Sequence, residues 1–217
     1  MSISIEHVKP ADIEKRSFEI ITEELKRMNI ELTGDTAPVI KRAIHTTADF
    51  DYVKTLSFSP DAVRIMKELI KSGADIVTDT QMGMSGINKK ELAVYGGSVH
   101  CFMADEDVAA EAKSLGTTRA DVSMHRASRL DKPVIFAIGN APTALIALTK
   151  MIDENQYIPA FVIGVPVGFV NVEAAKEMIM ERNIPYIVNK GRKGGSNVAA
   201  ALCNAVLYEL RKERMEQ

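Results

Sequence analysis

The chain has 217 residues, of which 46% are hydrophobic and 26% charged, and its formal net charge at pH 7 is −2. This length and apolar content are sufficient for one α/β domain with a full core, so we expect a single domain over residues 1–217. Because phosphate contacts need a dense basic surface, the slightly negative charge argues against nucleic acid as the main partner.

Cysteine usage and the amino terminus predict a cytoplasmic protein. Cys101 and Cys203 are far apart and form no C-x-x-C pair, which argues against a disulfide framework or zinc site and favours a reducing compartment. The first ten residues lack the basic start and apolar run of a signal peptide. Two uncharged stretches, 133–149 and 157–172, are shorter than the roughly 20 residues of a membrane span and contain Gly and Pro, so we expect them in the core.

The first 130 residues alternate helical and extended patterns. Helices are predicted where apolar residues recur at helical spacing, and strands where short apolar runs follow turn residues. The predicted elements are a helix over Lys9–Met28, a second helix from Asp35 or Thr36, an extended segment over Tyr52–Phe58, a helix from Ser59-Pro60 to Gly73, strands over Ala74–Thr78 and Gly97–Met103, and helices over Asp105–Gly116 and Thr118–Leu130.

One central segment organises the chain. Val134–Ile138 is a continuous apolar run, as expected of a strand that is buried on both faces of a parallel sheet. Gly139-Asn140 ends this run, and Pro142 suits the first turn of the helix that follows. A second buried strand over Ala160–Val165 leads through another Gly/Pro turn to a helix from about Val172.

Five strands that alternate with helices predict a doubly wound, flavodoxin-like α/β domain with a five-stranded parallel sheet. The fifth strand is Pro185–Asn189, and a final helix runs from about Asn197 to Arg214. In such sheets ligands bind beyond the carboxyl ends of the strands. The turns Gly139–Thr143 and Gly164–Asn171 fall there, so we expect the active site to face them.

His45 is the first candidate for chemistry, and it lies in R-A-I-H-T-T-A-D on the predicted second helix. On a continuous helix Asp49 is its neighbour and is placed to favour the protonated imidazole, which would make a general acid near neutral pH. Spacing alone favours a plainer interpretation, a partly exposed histidine beside an ordinary helical neighbour. No two histidines have a metal-ligand spacing such as H-x-x-x-H, so no metal site is predicted.

A glycine-rich turn, Gly191-Arg192-Lys193-Gly194-Gly195-Ser196, follows the fifth strand. Glycines before a helix let backbone N–H groups approach an anion, and Arg192 and Lys193 add positive charge. The turn is neither G-x-G-x-x-G nor a Walker A sequence, and a plain tight turn is the alternative to anion binding. Asp79–Met84 follows the first clear strand and faces the same rim, where its two methionines suit a broad apolar ligand as well as core filling.

Seven segments, in order along nearly the whole chain, carry a resemblance to a known family. They are R-S-F at Arg16–Phe18, R-A-I-H at Arg42–His45, S-P-D-A at Ser59–Ala62, G-T-T-R at Gly116–Arg119, G-N-A-P-T-A-L at Gly139–Leu145, G-V-P-V-G-F-V at Gly164–Val170 and G-R-K-G-G-S at Gly191–Ser196. Together they resemble the precorrin-8 methylmutase (precorrin isomerase) family.

The resemblance implies an isomerase of cobalamin biosynthesis with a flavodoxin-like fold, which works as a homodimer without an added cofactor. It implies a methyl shift from C-11 to C-12 of precorrin-8 or cobalt-precorrin-8, giving hydrogenobyrinate or cobyrinate, with His45 as catalytic general acid. The residues expected to contact this carboxylate-rich corrinoid are Arg16, Ser17, Thr80, Met84, Arg119, Asn140, Arg192, Lys193, Gly194 and Ser196. Whether the substrate contains cobalt stays open.

Two other classes of protein remain open on the sequence alone. A non-catalytic protein that binds a corrinoid or another small ligand needs the same strand-end site without His45. A nucleotide-dependent oxidoreductase also uses a doubly wound sheet, but the first clear strand here is followed by T-D-T-Q-M-G-M and not by a dinucleotide fingerprint.

Overall fold

The computed structural model describes residues 6–216, which form a six-stranded mixed β-sheet between two helical layers. The predictions of one domain over 1–217 and of no signal peptide also concern residues 1–5 and 217, which lie outside the described residues. The strands are β1 (Leu56–Phe58), β2 (Asp75–Thr78), β3 (Val99–His100), β4 (Val134–Ile138), β5 (Phe161–Gly164) and β6 (Tyr186–Asn189). Their order across the sheet is β1-β6-β5-β4-β2-β3.

Helices connect these strands, and a short 3-10 turn over Pro10–Asp12 precedes the first. The helices of the described chain are α1 (Ile13–Arg27), α2 (Thr36–Thr47), α3 (Tyr52–Thr55), α4 (Ala62–Lys71), α5 (Gln81–Gly86), α6 (Lys89–Ala93), α7 (Glu106–Leu115), α8 (Arg119–Ala127), α9 (Pro142–Asp153), α10 (Val172–Met180) and α11 (Ser196–Met215). Over residues 6–216, no helix combines the length and the apolar character that crossing a membrane requires.

The prediction of a five-stranded, wholly parallel sheet is wrong, because residues 6–216 form six strands in a mixed sheet. The strands β2 to β6 run parallel to one another. In contrast, β1 pairs antiparallel with β6, with Leu56 opposite Asn189. The segment Tyr52–Phe58, predicted to be extended, is helical over Tyr52–Thr55 and extended only in β1. A three-residue edge strand has no periodicity of its own, since its order comes from pairing with a distant strand.

The predicted elements around the two central strands are confirmed with small shifts at their ends, and Val134–Ile138 coincides with β4. Two predictions differ more. Of the predicted strand Gly97–Met103 only β3 is regular, and the predicted turn Asp79–Met84 contains the start of α5. Thr80 caps α5 by accepting a hydrogen bond from the Gly83 amide. A six-residue helix that depends on its cap is too short for hydrophobic spacing to reveal.

The two faces of the sheet carry separate cores. The helices α1, α2, α4 and α11 cover one face, towards which Ile135 and Ala137 of β4 point. The helices α8, α9 and α10 cover the other face, towards which Val134, Phe136 and Ile138 point. Because both sides of β4 are buried, its sequence shows a continuous apolar run in place of alternation.

The chain reverses its direction across the sheet at β2. From β2 it passes to β3 on one side and later to β4 on the other. The crevice beyond such a reversal is where open α/β sheets bind ligands. Thr80 follows β2 there, and Gly139 follows β4. The carboxyl edge of the sheet, as predicted, is the place where a site is expected.

Candidate active site

An open cavity lies between α2, α5 and α11, and the exposed ring of His45 forms part of its wall. Its volume is about 280 Å³. We call it the His45 groove and define it by Arg42, His45, Thr46, Met82, Gly86, Asn197, Ala200, Ala201, Asn204 and Tyr208. Methionine and alanine side chains beside two side-chain amides suit a broad, mostly apolar ligand that also carries hydrogen-bonding groups.

Aromatic and cationic side chains stack beside the His45 groove. The rings of Phe18 and His45 are nearly parallel, with 5.1 Å between centroids and 14° between planes. The guanidinium carbon of Arg42 lies 4.7 Å from the Phe18 centroid and 5.1 Å from the Tyr208 centroid. Arg42 also forms an ion pair with Glu14. This stack fixes the plane of the imidazole and places a permanent cation next to it.

A second cavity, of about 720 Å³, continues from the His45 groove and shares Arg42 and Tyr208 with it. Lys15, Arg211 and Lys212 also line this cavity. Because four cations and a single carboxylate line it, the local potential favours anionic groups of a ligand. An apolar surface beside a basic one therefore forms this side of the molecule.

The predicted pairing of His45 with Asp49 is wrong. The helix α2 ends at Thr47, and Ala48 adopts a left-handed conformation with φ 53°, so Asp49 no longer follows the helix. Asp49 Oδ2 accepts a hydrogen bond from Lys193 Nζ at 2.6 Å. That bond holds the pKa of Asp49 below its usual range. The i, i+4 argument fails here because it applies only within a helix.

The segment Gly191–Ser196 forms a loop between β6 and α11, which we call the glycine loop. Gly191 has a φ of 73°. A β-carbon on Gly194 would lie 2.0 Å from the Val165 carbonyl oxygen, so no side chain fits at that position. The backbone of the glycine loop therefore packs directly on the turn that follows β5, at the carboxyl edge of the sheet.

Both cations of the glycine loop already have acidic partners. The Lys193 ammonium lies 2.6 Å from Asp49 and 2.6 Å from Asp51, and these hydrogen bonds raise the pKa of Lys193. The Arg192 guanidinium pairs with Glu173 at 2.9 Å. A ligand carboxylate at this loop must therefore join or displace these acids.

Asp79 fixes the ends of β2 and β4 to each other. Its buried carboxylate accepts hydrogen bonds from the backbone amides of Gly139 at 2.9 Å, Asn140 at 2.8 Å and Ala141 at 2.5 Å. Burial raises the pKa of Asp79, and the three N–H donors oppose that rise. Asn140 is thereby held at the rim with its side chain exposed.

Thr80 and Ser196 join the start of α5 to the start of α11. The Thr80 hydroxyl donates a hydrogen bond to the Ser196 hydroxyl at 2.7 Å. A β-carbon on Gly139 would lie 2.6 Å from Ser196 Cα, so the end of β4 touches this junction. The predicted contact residues Thr80, Asn140, Gly194 and Ser196 are thus brought to one edge of the sheet.

Known proteins share this sequence and architecture. The family model for precorrin-8X methylmutase matches residues 12–209. A cobalt-precorrin-8 methylmutase of Priestia megaterium is 44% identical over 92% of this chain and 88% of its own length. The precorrin-8x methyl mutase of Thermus thermophilus, a crystal structure, superposes with a TM-score of 0.82 at 36% identity and covers 93% of this chain and 98% of that one. This chain belongs to the precorrin-8X methylmutase family.

The resemblance drawn from the motifs is therefore confirmed. As a member of the precorrin-8X methylmutase family, the chain is an isomerase of cobalamin biosynthesis that transfers a methyl group within one molecule. The names of its relatives include both cobalt-precorrin-8 and precorrin-8X. A cobalt-precorrin-8 methylmutase of Salmonella typhimurium is 40% identical over 94% of this chain and 97% of its own, and a precorrin-8X methylmutase of Pseudomonas aeruginosa is 37% identical over 91% and 94%.

Arg119 lies away from the His45 groove of this methylmutase. It is exposed at the first residue of α8, and α8 packs on the opposite face of the sheet from α2. The fold of one chain therefore keeps Arg119 and His45 in different helical layers, although both were predicted to serve one site.

Arg16 and Ser17 lie on α1, immediately before the Phe18 that stacks on His45. The Arg16 guanidinium pairs with Glu6 at 2.8 Å. The Ser17 hydroxyl donates to a backbone carbonyl of its own helix. Both residues are therefore close in sequence to the Phe18 that stacks on His45. Their side chains, however, bond within α1 and to the segment before it.

The methionine that lines the groove differs from the predicted one. Met84 is half-buried in α5, whereas Met82 is 70% exposed and lines the His45 groove. The sequence places both methionines after β2 but does not show how α5 is rotated, since its orientation depends on contact with α11.

Of the groove residues missed from the sequence, four carry cationic, amide or aromatic side chains. Arg42 stands three residues before His45 in R-A-I-H, a spacing that puts both on one helix face, so its signal was present. Asn197 and Asn204 are seven residues apart, again on one face of a helix. Tyr208 had no such signal, because the face of α11 that meets α2 is decided by packing.

Proposed function

We propose that this chain moves a methyl group from C-11 to C-12 of precorrin-8 or cobalt-precorrin-8, giving hydrogenobyrinate or cobyrinate, with His45 as general acid. Membership of the methylmutase family supports the reaction. The observation that carries the role of His45 is its exposed ring, which stands in the wall of a largely apolar groove, stacked on Phe18 and close to Arg42.

The proposed chemistry depends on making the conjugated macrocycle electron-poor, because that favours migration of a methyl group between adjacent carbons. The imidazolium of His45 does so by donating a proton, or a strong hydrogen bond, to a ring nitrogen of the bound substrate. After the shift the nitrogen returns the proton, so His45 ends the cycle unchanged. The stacked ring of Phe18 orients the imidazole before the reaction begins. This step uses no added cofactor and no protein nucleophile.

The proposed binding mode matches the two surfaces beside His45. The apolar plate of the corrinoid packs on Met82 and on the alanines of α11, and the amides of Asn197 and Asn204 meet its polar edge. The substrate's acetate and propionate carboxylates are anions, and Arg42 with the other cations of the second cavity attracts them. The predicted contact residues at the carboxyl edge extend this surface; they are Thr80, Asn140, Gly194 and Ser196.

We further propose a two-fold symmetric homodimer in which each substrate is held by both chains. Arg119 and His45 lie in opposite helical layers of one chain, which supports a site that takes Arg119 from the partner. The exposed Val167, Phe169 and Val170, in the turn after β5, add apolar surface that such an assembly can cover.

The fold and the compartment complete the proposal. Counted within the parallel part of the sheet, β2 to β6 follow the order 2-1-3-4-5, which supports a flavodoxin-like class with β1 as an added edge. Both cysteines are free and buried, which is compatible with the reducing cytoplasm that the sequence predicts.

The test is a direct assay of the purified chain with precorrin-8 and, separately, with cobalt-precorrin-8. Conversion of either macrocycle, monitored by the absorption spectrum of the product, supports the proposed reaction. It also shows whether the substrate contains cobalt. Binding of a coloured corrinoid without any conversion would favour the alternative, a non-catalytic corrinoid-binding protein. A chain that neither binds nor converts either macrocycle would refute both.

A further inference from the structure

Lys176, on α10, has a fully buried side chain, although lysines are almost never buried without a charged partner. In the described chain it forms no ion pair within 4.0 Å, and Glu173, one helical turn away, is the carboxylate that influences its charge. Burial lowers the pKa of Lys176 to about 8, so the ammonium persists at neutral pH. A buried charge without a close counter-charge destabilises the folded chain, which calls for a reason other than stability.

The partners of Lys176 are backbone carbonyls of the glycine loop. Its Nζ donates hydrogen bonds to the Gly191 oxygen at 2.6 Å and to the Lys193 oxygen at 2.9 Å. The Lys193 oxygen also accepts from the Asn189 side chain at 2.9 Å. Two carbonyls that are two residues apart thus converge on one ammonium, and this fixes the orientation of their peptide planes.

The loop carbonyl between these two is also held. The Arg192 oxygen accepts a hydrogen bond from the Gly168 amide at 3.1 Å, in the turn after β5. Because consecutive carbonyls are held by other parts of the fold, the side chains of Arg192 and Lys193 are directed outwards, where 60% and 49% of their respective surfaces are exposed. Lys176 is therefore one of the groups that fix the backbone from which the loop presents its cations.

An apolar residue at this position would also fill the space beneath the loop. It would remove the side-chain partner of the Gly191 carbonyl, however, and leave the Lys193 carbonyl with Asn189 alone. A loop rich in glycine has several conformations available to it. The lysine selects one of them. Its buried positive charge also lies behind the loop surface, where it raises the potential that a carboxylate in front of the loop experiences.

We propose that Lys176 is a positioning residue for methyl transfer, whose buried ammonium holds the glycine loop in the conformation that receives carboxylates of the substrate. This inference rests on the proposed function, because it takes the corrinoid as the ligand of the loop. Lys176 is buried beneath the loop and bonds only its carbonyls, so the proposed effect is on substrate binding and not on the chemical step.

The test compares Lys176→Met, which removes charge and donors, with Lys176→Gln, which keeps two donors. Lys150→Met, an exposed lysine on the neighbouring helix α9, is the matched control. We expect Lys176→Met to raise KM for the converted macrocycle by about tenfold or more, with kcat within about threefold of wild type. Lys176→Gln should fall between Lys176→Met and wild type, and Lys150→Met should match the wild type.

A second readout does not depend on turnover. Amide hydrogen exchange of residues 191–196 should be faster in Lys176→Met and unchanged in Lys150→Met, because only Lys176→Met removes the two hydrogen bonds from the ammonium to the Gly191 and Lys193 carbonyls. Folded Met and Gln variants with KM within about twofold of wild type would overturn the proposal. So would a loss of kcat at constant KM, or failure of both variants to fold, since Lys176 would then serve the fold alone. A wild-type chain that converts neither macrocycle would refute the proposed function, whereas the exchange data would still report on the loop.

Discussion

The ammonium of Lys193 lies 2.6 Å from the carboxylate of Asp49, four residues beyond His45. It is equally close to Asp51, so one side chain of the glycine loop is tied to two acids in the turn between α2 and α3. These bonds lower the pKa of Asp49 and raise that of Lys193. The glycine loop is therefore tied directly to the turn that follows the helix carrying His45.

Asp49→Asn should leave the acid-to-neutral limb of the pH profile of methyl transfer unchanged, because Asp49 faces Lys193 and not the imidazole. KM should change by no more than about two- to fivefold, since Lys193 keeps Asp51 as a partner and exposed ion pairs contribute little. Profiles of kcat/KM over about pH 5 to 9 check this, with Asp51→Asn as the matched control. A shift of the acid-to-neutral limb in Asp49→Asn alone would restore the pairing with His45.

His45→Ala should lower kcat by at least about 100-fold, the usual contribution of a general acid. Substrate affinity and fold should be nearly unchanged, because the ring is exposed and its loss removes one stacking contact that contributes about 1 kcal/mol or less. Single-turnover conversion and corrinoid titration measure the two effects separately. His125→Ala, a half-buried histidine on α8, is the control. Near wild-type turnover in His45→Ala would exclude His45 from the mechanism.

The double variant Arg192→Gln and Lys193→Gln should bind the corrinoid more weakly, with the greatest loss at low ionic strength. The reason is that charges at the surface are screened by salt. Dissociation constants across a salt series, for this variant and the wild type, provide the measurement. Arg64→Gln combined with Lys150→Gln removes the same charge from exposed positions on α4 and α9 and should have no effect. Equal affinities throughout would mean that the glycine loop is only structural.

Two inactive variants, His45→Ala and Arg119→Ala, should regain activity when their subunits exchange. If each site takes His45 from one chain and Arg119 from the other, random exchange restores about a quarter of the wild-type activity. Sedimentation first establishes the oligomeric state, and a tag on one variant verifies the exchange. A verified mixed dimer without activity would place both side chains in the same chain, or remove Arg119 from the site.

Lys176 also links pH to stability. Its pKa is about 8 in the folded chain against an ordinary value of 10.5, so the unfolded chain binds more protons between these values. The free energy of unfolding of the wild type should therefore rise relative to Lys176→Met as pH increases through this window, by on the order of 1–3 kcal/mol. Urea unfolding at about pH 7.5 and about pH 10.5 measures the difference. If the wild type and Lys176→Met differ in free energy of unfolding by the same amount at both pH values, the pKa of Lys176 is not lowered by burial.

The central strands could be predicted from the sequence because burial on both faces leaves a direct record in the residues. The five apolar residues of Val134–Ile138 and the Gly and Pro that follow are sufficient to place β4 and the start of α9. The strand β1 could not be predicted in this way. Its three residues gain their order from β6, more than 120 residues later in the chain, and no local pattern records such a partner.

The site was predictable only where residue type and helix geometry both hold. His45 and the glycine loop were identified as candidates by their motifs, and Arg42 was available as a further candidate at the spacing of one helical turn. The pairing with Asp49 failed because Ala48 ends α2 with a positive φ. Alanine rarely adopts this conformation, so the sequence carries no warning of it. The pairing of Asp49 with Lys193 and the rotation of α5 likewise depend on packing between segments that are distant in the sequence.

The place of Tyr208 in the wall of the His45 groove has a spectroscopic consequence. The chain has no tryptophan and five tyrosines, so its intrinsic ultraviolet emission comes from tyrosine alone. One of these five rings stands where the proposed macrocycle, a strong absorber of light, would rest. Occupancy of the groove should therefore quench part of this emission, and Tyr208→Phe should remove that part, so that binding can be followed without a label and without turnover.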